Sequence, residues 1–290
     1  MTKQRLFSIF KPLLIFLCLT VFYIYQFGAK LNVIVHSDIN EIERNLGITE
    51  DEMSCKEKGI GKTGGFCLDE DNILVGGNKL WGPEFAKGME NIFKNSSVLD
   101  LGAGLGHYGR YFLRKREYIF EDKFRDIEKS IFFDRIEDII NTPKRILHYE
   151  GYDGALNIEK VTSGFIKHID LAAPQNLNRK FDWVMSVEVG EHIPMEYESI
   201  YISNMIKHAC KGIILTWAVE GQGGHFHVNN HNNSYVRERM ETKGWKTCDS
   251  AEEYLRDIAD LGYLKNTIMF FVPKSMPPKM CPYYKPFSCE

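Results

Sequence analysis

Short apolar runs and stretches of helical period alternate along residues 81–273. Apolar runs predict strands at 97–101, 145–152, 164–169, 181–187, 212–217 and 267–272. Between them, helical spacing predicts helices at 107–116, 194–209, 233–243 and 251–260. Ahead of the first strand, Pro83 heads the run PEFAKGMENIFKN and suits the first turn of a helix. Strand–helix alternation with nearly continuous apolar strands predicts an α/β fold built on a doubly wound, mostly parallel sheet covered on both faces. The stretch 120–142 keeps helical spacing and lengthens the first crossover, as an extra helix near the site or as a plain packing helix.

The N-terminus follows another pattern. Residues 13–27 are almost wholly apolar, with Lys3, Arg5 and Lys11 before them and only Lys30 close behind. Adding Pro12, Gly28 and Ala29 brings the segment near the lower length limit for a membrane span. A cleaved signal peptide would need small residues before the cut, and Phe27 is too large. The expectation is a transmembrane signal anchor at 12–29 with a short cytosolic tail at 1–11. A stem and lead-in at 30–80, a catalytic domain at 81–274 and a tail at 275–290 complete the organisation. The positive-inside rule makes this a single-pass, type II membrane protein with its domain in the secretory-pathway lumen.

Composition refines that picture. The chain has 290 residues, 44% hydrophobic and 26% charged, with net charge −3. That is enough for one sizeable domain plus appendages, and without a basic excess no nucleic-acid partner is expected. Of seven cysteines, Cys18 lies in the apolar segment. The other six either pair in an oxidising compartment or stay as buried thiols. Cys55–Cys67 and Cys281–Cys289 are the pairs nearest in sequence. The sequons at Asn95 and Asn232 are usable only in a lumen.

The candidate chemistry centres on VLDLGAGLGHYG at 98–109. An acid, Asp100, ends an apolar run, and Gly102, Gly104 and Gly106 come after it, so the backbone can turn sharply and approach a ligand closely. Gly104, Gly106 and Gly109 also spell the dinucleotide fingerprint. There, however, the glycines follow the strand directly and the key acid comes about 20 residues later.

This run resembles the first motif of class I S-adenosylmethionine (SAM)-dependent methyltransferases. The resemblance spans roughly residues 81–273 and implies a Rossmann-like fold with SAM as cofactor. It places Asp100, Gly102, Gly104 and Gly106 around the methionine moiety. Asp153, in ILHYEGYDGA, would accept hydrogen bonds from the ribose diol, and Asp170, in FIKHIDLA, would contact the adenine. FDWVMSVEVGEHIP resembles the family's fourth motif, where a strand ends beside the methyl group.

Glu188, Glu191 and His192 form E-x-x-E-H, which also occurs in methyltransferases that bind a divalent cation. They are the candidate metal ligands, with substrate positioning as the alternative role for His192. In GQGGHFHVNNHNN, His225 and His227 alternate and would share one face of an extended loop. Either is a candidate general base or a further ligand beside His192. Glu188, His192, His225 and His227 are thus the candidate catalytic residues, with methyl transfer to an oxygen of an unidentified acceptor the expected reaction. The segments GYDGA, SVEVGEHIP and GQGGH resemble an uncharacterised set of methyltransferase-like proteins. An inactive interaction module and an NAD-dependent dehydrogenase are the rivals.

Overall fold

The computed structural model describes residues 55, 59–67, 81–115, 143–275, 281 and 287–289. The expected membrane segment at 12–29 and the stretch at 120–142 lie outside these residues. Among the described residues, no helix is long and apolar enough to cross a membrane. The chain divides into two compact units, Met1–Glu57 and Lys58–Glu290. Of the first, only Cys55 is described, and every described strand belongs to the second.

Seven strands form one sheet: β1 (Ser97–Leu101), β2 (His148–Asp153), β3 (Ile166–His168), β4 (Phe181–Ser186), β5 (Ala209–Thr216), β6 (Trp245–Thr247) and β7 (Ile268–Pro273). The spatial order is β3-β2-β1-β4-β5-β7-β6. Strands β1 to β5 pair in parallel, whereas β7 runs antiparallel between β5 and β6. The expected doubly wound, mostly parallel sheet is therefore present. The six expected strands form within a few residues of their anticipated bounds. The seventh, β6, has three residues, too few to register as an apolar run.

The helices are α1 (Pro83–Ile92), α2 (His107–Leu113), α3 (Ile158–Val161), α4 (Glu198–His208), α5 (Asn233–Thr242), α6 (Asp249–Ile258) and α7 (Leu264–Thr267). Helix α2 is shorter than the expected 107–116, because Arg114 turns left-handed at φ 56°. There the guanidinium of Arg114 donates to both oxygens of the buried Glu90 in α1, at 2.7 and 2.9 Å.

Two apolar layers sandwich the sheet. Phe85 and Met89 of α1, Phe112 of α2 and Leu255 of α6 pack on one face with Val98, Trp183 and Phe270. Tyr201 and Met205 of α4 and Met240 of α5 cover the other with Leu99, Phe181 and Phe271. Side chains that alternate along β1, β4 and β7 feed both layers, as strands buried on two faces must. Each fully buried Leu, Phe or Met contributes about 1.5–3 kcal/mol of transfer free energy.

The segments flanking the sheet show further detail. The second compact unit spans Lys58–Glu290, and residues 59–67 are described ahead of residue 81. Near the C-terminus, the Phe287 ring lies 5.4 Å from that of Trp183 and 5.2 Å from that of Phe270. The expected pair Cys281–Cys289 does not form, since Cys281 joins Cys210 in β5 and Cys289 joins Cys248 ahead of α6. Cys55 and Cys67 are also disulfide-bonded.

Replacing Cys210 and Cys281 together by serine is expected to lower the unfolding free energy by about 2–4 kcal/mol. Urea unfolding followed by circular dichroism reads this as a lower midpoint with an unchanged folded spectrum. An unchanged midpoint would show that the bridge contributes nothing.

Candidate functional site

A cavity of about 380 Å³ opens at the carboxyl ends of β1, β2 and β4. Strand order reverses between β1 and β4, and open α/β sheets bind ligands in the crevice at such a switch point. The loop after β1 forms one wall. Gly102, Gly104 and Gly106 have φ of 83°, 53° and 80°, the left-handed region that glycine enters at little cost. Gly102 is also sterically required, since a Cβ there would sit 2.2 Å from the Val189 side chain beyond β4. Gly109 has another role: a Cβ would lie 2.2 Å from the Tyr149 ring, so its absence lets α2 rest on β2.

Tyr149 in turn donates its hydroxyl to Asp100 Oδ2 at 2.7 Å. Burial pushes the Asp100 carboxyl up to about 7, against the lowering effect of that hydrogen bond. At the end of β2, Asp153 takes the Gly104 N–H on Oδ2 at 2.7 Å and the Ala155 N–H on Oδ1 at 2.9 Å. Each oxygen keeps a lone pair for a further donor. Burial raises this carboxyl as well. Asp170 follows β3, caps the Ala172 N–H at 2.9 Å and lines the same cavity. All six expected cofactor-side residues therefore come together, Gly106 by shaping the loop and the other five along the lining.

The opposite wall follows β4. Glu188 has φ 53°, an uncommon conformation for a side chain with a Cβ, of the kind that marks functional sites. Its N–H donates to Thr216 Oγ1, and its carboxylate accepts from Thr267 Oγ1 at 3.2 Å and Gln222 Nε2 at 3.3 Å. Burial raises its pKa. Glu191 sits on a 3₁₀ turn, Gly190–His192, fully buried, and neither carboxylate oxygen has a hydrogen-bond partner. Burial, and then the charge of Glu188, hold its pKa well above the usual carboxylate range. Burial lowers His192 to about 4, which keeps the ring neutral near pH 7.

The expected ligand set changes in one member. One ligand atom each of Glu191, His192 and His227 lie within 4.8 Å of one another, and Glu188 stands outside that group. His225 and His227 both line the cavity, though not as neighbours on one face of an extended loop. Phe226 between them takes φ 53°, so the loop is not extended there. His227 lies 5.1 Å from the His192 ring, whereas the exposed His225 stacks with Phe66 at 6.0 Å.

Sequence reasoning misses a further element. Residues 59–67 form a tight hairpin, with Ile60 bridged to Phe66 and the Gly61 N–H donating to the Gly65 carbonyl at 2.7 Å. The hairpin straps the cavity. A Cβ on Gly65 would lie 2.2 Å from the Gly154 carbonyl oxygen, and one on Gly64 2.3 Å from that of His192. Phe66 then places its edge 4.8 Å from the His192 ring. The adjacent glycines before an aromatic are the only local signal, and they also spell an ordinary turn. Trp81, Tyr263 and Gln222 also line the cavity.

No family model matches this chain, and no curated protein matches it. Among solved structures, it is similar to a TehB-like SAM-dependent methyltransferase from Corynebacterium glutamicum at 14% identity and TM-score 0.43, covering 66% of this chain and 88% of that one. It is similar to magnesium protoporphyrin IX methyltransferase from Synechocystis with bound SAM at 17% identity and TM-score 0.39, covering 65% and 76%. The [4+2]-cyclase SpnF gives 10% identity and TM-score 0.40, covering 66% and 78%. Likeness at these scores assigns no function.

The Asp100 environment makes a checkable statement about pH. The folded carboxyl holds its proton up to about pH 7, and the unfolded one releases it near 3.8. The folded state then binds more protons in that window, so its stability falls as pH rises. Asp100→Asn removes this component while keeping an acceptor for Tyr149. The wild-type minus variant unfolding free energy should therefore decline between about pH 4 and about pH 7. A flat difference would mean that Asp100 stays ionised.

Proposed function

We propose that this protein is a SAM-dependent methyltransferase that methylates an oxygen of an unidentified, uncharged acceptor. The observation that carries the reading is the cavity itself, with the backbone-anchored carboxyl of Asp153 at one end and an unusual carboxyl and imidazole wall at the other. Asp153 would hold the ribose hydroxyls, the loop through Gly102 and Gly104 the methionine part, and Asp170 the adenine. The sulfonium methyl would then face Glu188.

Charge supports the cofactor assignment. Five carboxyl groups, Asp100, Asp153, Asp170, Glu188 and Glu191, line the cavity, and among the described residues no lysine or arginine does. A sulfonium and an ammonium favour the ionised form of such groups and suit this lining, whereas the diphosphate of NAD or a phosphorylated acceptor would find no cationic side chain there. Topology points the same way. Dinucleotide-binding sheets commonly run 3-2-1-4-5-6, whereas this one inserts an antiparallel β7 between β5 and β6. The seven-stranded sheet matches the methyltransferase fold that the glycine motif implies.

In the reaction, an acceptor oxygen attacks the methyl carbon. The S–CH₃ bond breaks with its electron pair going to sulfur, leaving a neutral thioether. The acceptor proton passes to Glu188, whose raised pKa brings it closer to the basicity a general base needs. The hydroxyl of Thr267 and the amide of Gln222 aim that carboxylate. Alignment of acceptor, methyl and sulfur supplies most of the acceleration. His225, at the rim, would meet the acceptor first. Residues 12–29 would anchor the enzyme in a membrane with this domain on the lumenal side. Disulfides at Cys210–Cys281 and Cys248–Cys289 support an oxidising compartment.

Calorimetric titration of the purified protein with SAM, S-adenosylhomocysteine and NAD tests the reading. Binding in the micromolar range is expected for the two adenosyl compounds and none for NAD. Asp153→Ala should weaken it at least about tenfold, the equivalent of one hydrogen bond to a charged group. Gly104→Val should abolish it while the domain stays folded. No adenosyl binding by folded wild-type protein would refute the assignment and favour an interaction module.

A further inference from the structure

We propose that Glu191, His192 and His227 form a binding site for one divalent transition-metal cation of the zinc type. Their ligand atoms all lie within 4.8 Å of one another, so a side-chain shift of a few tenths of an ångström brings all three onto one ion. The carboxylate of Glu191 is fully buried and has no hydrogen-bond partner on either oxygen. Buried polar groups are nearly always paired, and leaving one unpaired is costly, so this carboxylate lacks the partner its position demands. It lines the same cavity as both imidazoles, so a ligand can reach it.

The imidazoles are prepared in the same sense. His192 Nδ1 lies 3.1 Å from the Phe226 carbonyl oxygen, and His227 Nδ1 lies 3.2 Å from that of Gln222. A carbonyl has no proton to give, so each Nδ1 carries the hydrogen and each Nε2 is left with its lone pair. Metal-binding histidines characteristically make this outer contact, which fixes tautomer and ring orientation. The backbone ties the two ligand segments together: Val228 N–H and Asn229 N–H both donate to the Glu191 carbonyl oxygen, at 2.8 and 3.0 Å. His227 therefore cannot drift from Glu191 and His192 without breaking main-chain hydrogen bonds.

Two nitrogens and one oxygen suit zinc, cobalt or manganese better than magnesium or calcium, which prefer oxygen alone. Three protein ligands leave a position open, as in catalytic rather than structural zinc sites. The cation would also supply the positive charge that no lysine or arginine brings to this lining. When bound, it would act as a Lewis acid on an acceptor oxygen. That use rests on the methyl-transfer reading; the existence of the site does not.

The test uses the full chain, stripped with a chelator and titrated with cobalt(II) alone while visible absorption is followed. The expected result is a band that saturates at one equivalent, is displaced by one equivalent of zinc(II) and is unmoved by excess magnesium. Glu191→Gln, His192→Ala and His227→Ala should each weaken cobalt binding by well over about tenfold, the least that even outer partners of a metal site cause. Glu188→Gln and His225→Ala should retain one equivalent. S-adenosylhomocysteine is titrated into every sample, with circular dichroism to report folding. Folded wild-type protein that binds no cobalt, or a His227→Ala variant that binds it as tightly as wild type, overturns the site, whatever happens with the nucleoside. Stoichiometric cobalt binding without S-adenosylhomocysteine binding upholds the site and removes only the methyl-transfer reading.

Discussion

The close contact between Gly102 and Val189 underlies the whole arrangement. The loop after β1 carries the cofactor-side residues and the loop after β4 carries the acceptor-side ones, and the two meet here. Where any other residue would place a Cβ, the Val189 side chain stands 2.2 Å away. One loop must therefore be bare of side chain and left-handed, and the other must turn just before Val189, where Glu188 is the residue that takes φ 53°. Asp100, one pair inward, is held by Tyr149, and Tyr149 can sit there only because Gly109 leaves room for its ring. A chain of packing requirements thus runs from α2 through β2 and β1 to the turn that bears Glu191 and His192.

The cavity shows why its polarity is asymmetric. On the cofactor side, carboxylates already accept backbone N–H groups, so they are anchored while keeping lone pairs in reserve. On the other side, Glu188 has side-chain partners and Glu191 has none. Two carboxyls on one turn thus have opposite surroundings, and they suit opposite tasks: one to move a proton, the other to wait for a cation. Differences of this kind are how neighbouring carboxyls acquire separate roles.

Much of this was legible in the residues alone, wherever the chemistry is local. A glycine spaced two from the next after a strand-ending acid dictates its own turn, and the alternation of apolar runs dictates the sheet. What depends on distant packing was not legible. Phe226 is left-handed between two histidines, and it is His227 whose ligand atom joins those of Glu191 and His192; no spacing rule reveals a single left-handed residue. Gly64 and Gly65 read as a turn because their partners, His192 and Gly154, are remote in sequence. Cys281 and Cys289 looked like natural mates until β5 and the start of α6 supplied nearer ones. The acid ending β2 also lies beyond the spacing that dinucleotide motifs use, because the first crossover is long.

The C-terminal segment has a consequence for how the protein is made. Trp183 lies in the middle of the sheet, yet one of the rings that encloses it, Phe287, is synthesised far later, as are the thiols that close onto Cys210 and Cys248. Contacts between positions so distant along the chain form slowly, because loop closure must precede any reward. Until that segment arrives, the β4 and β7 face around Trp183 is open to chaperones and to aggregation. The bridges at Cys210 and Cys248 likewise close only once residues 281 and 289 have been made.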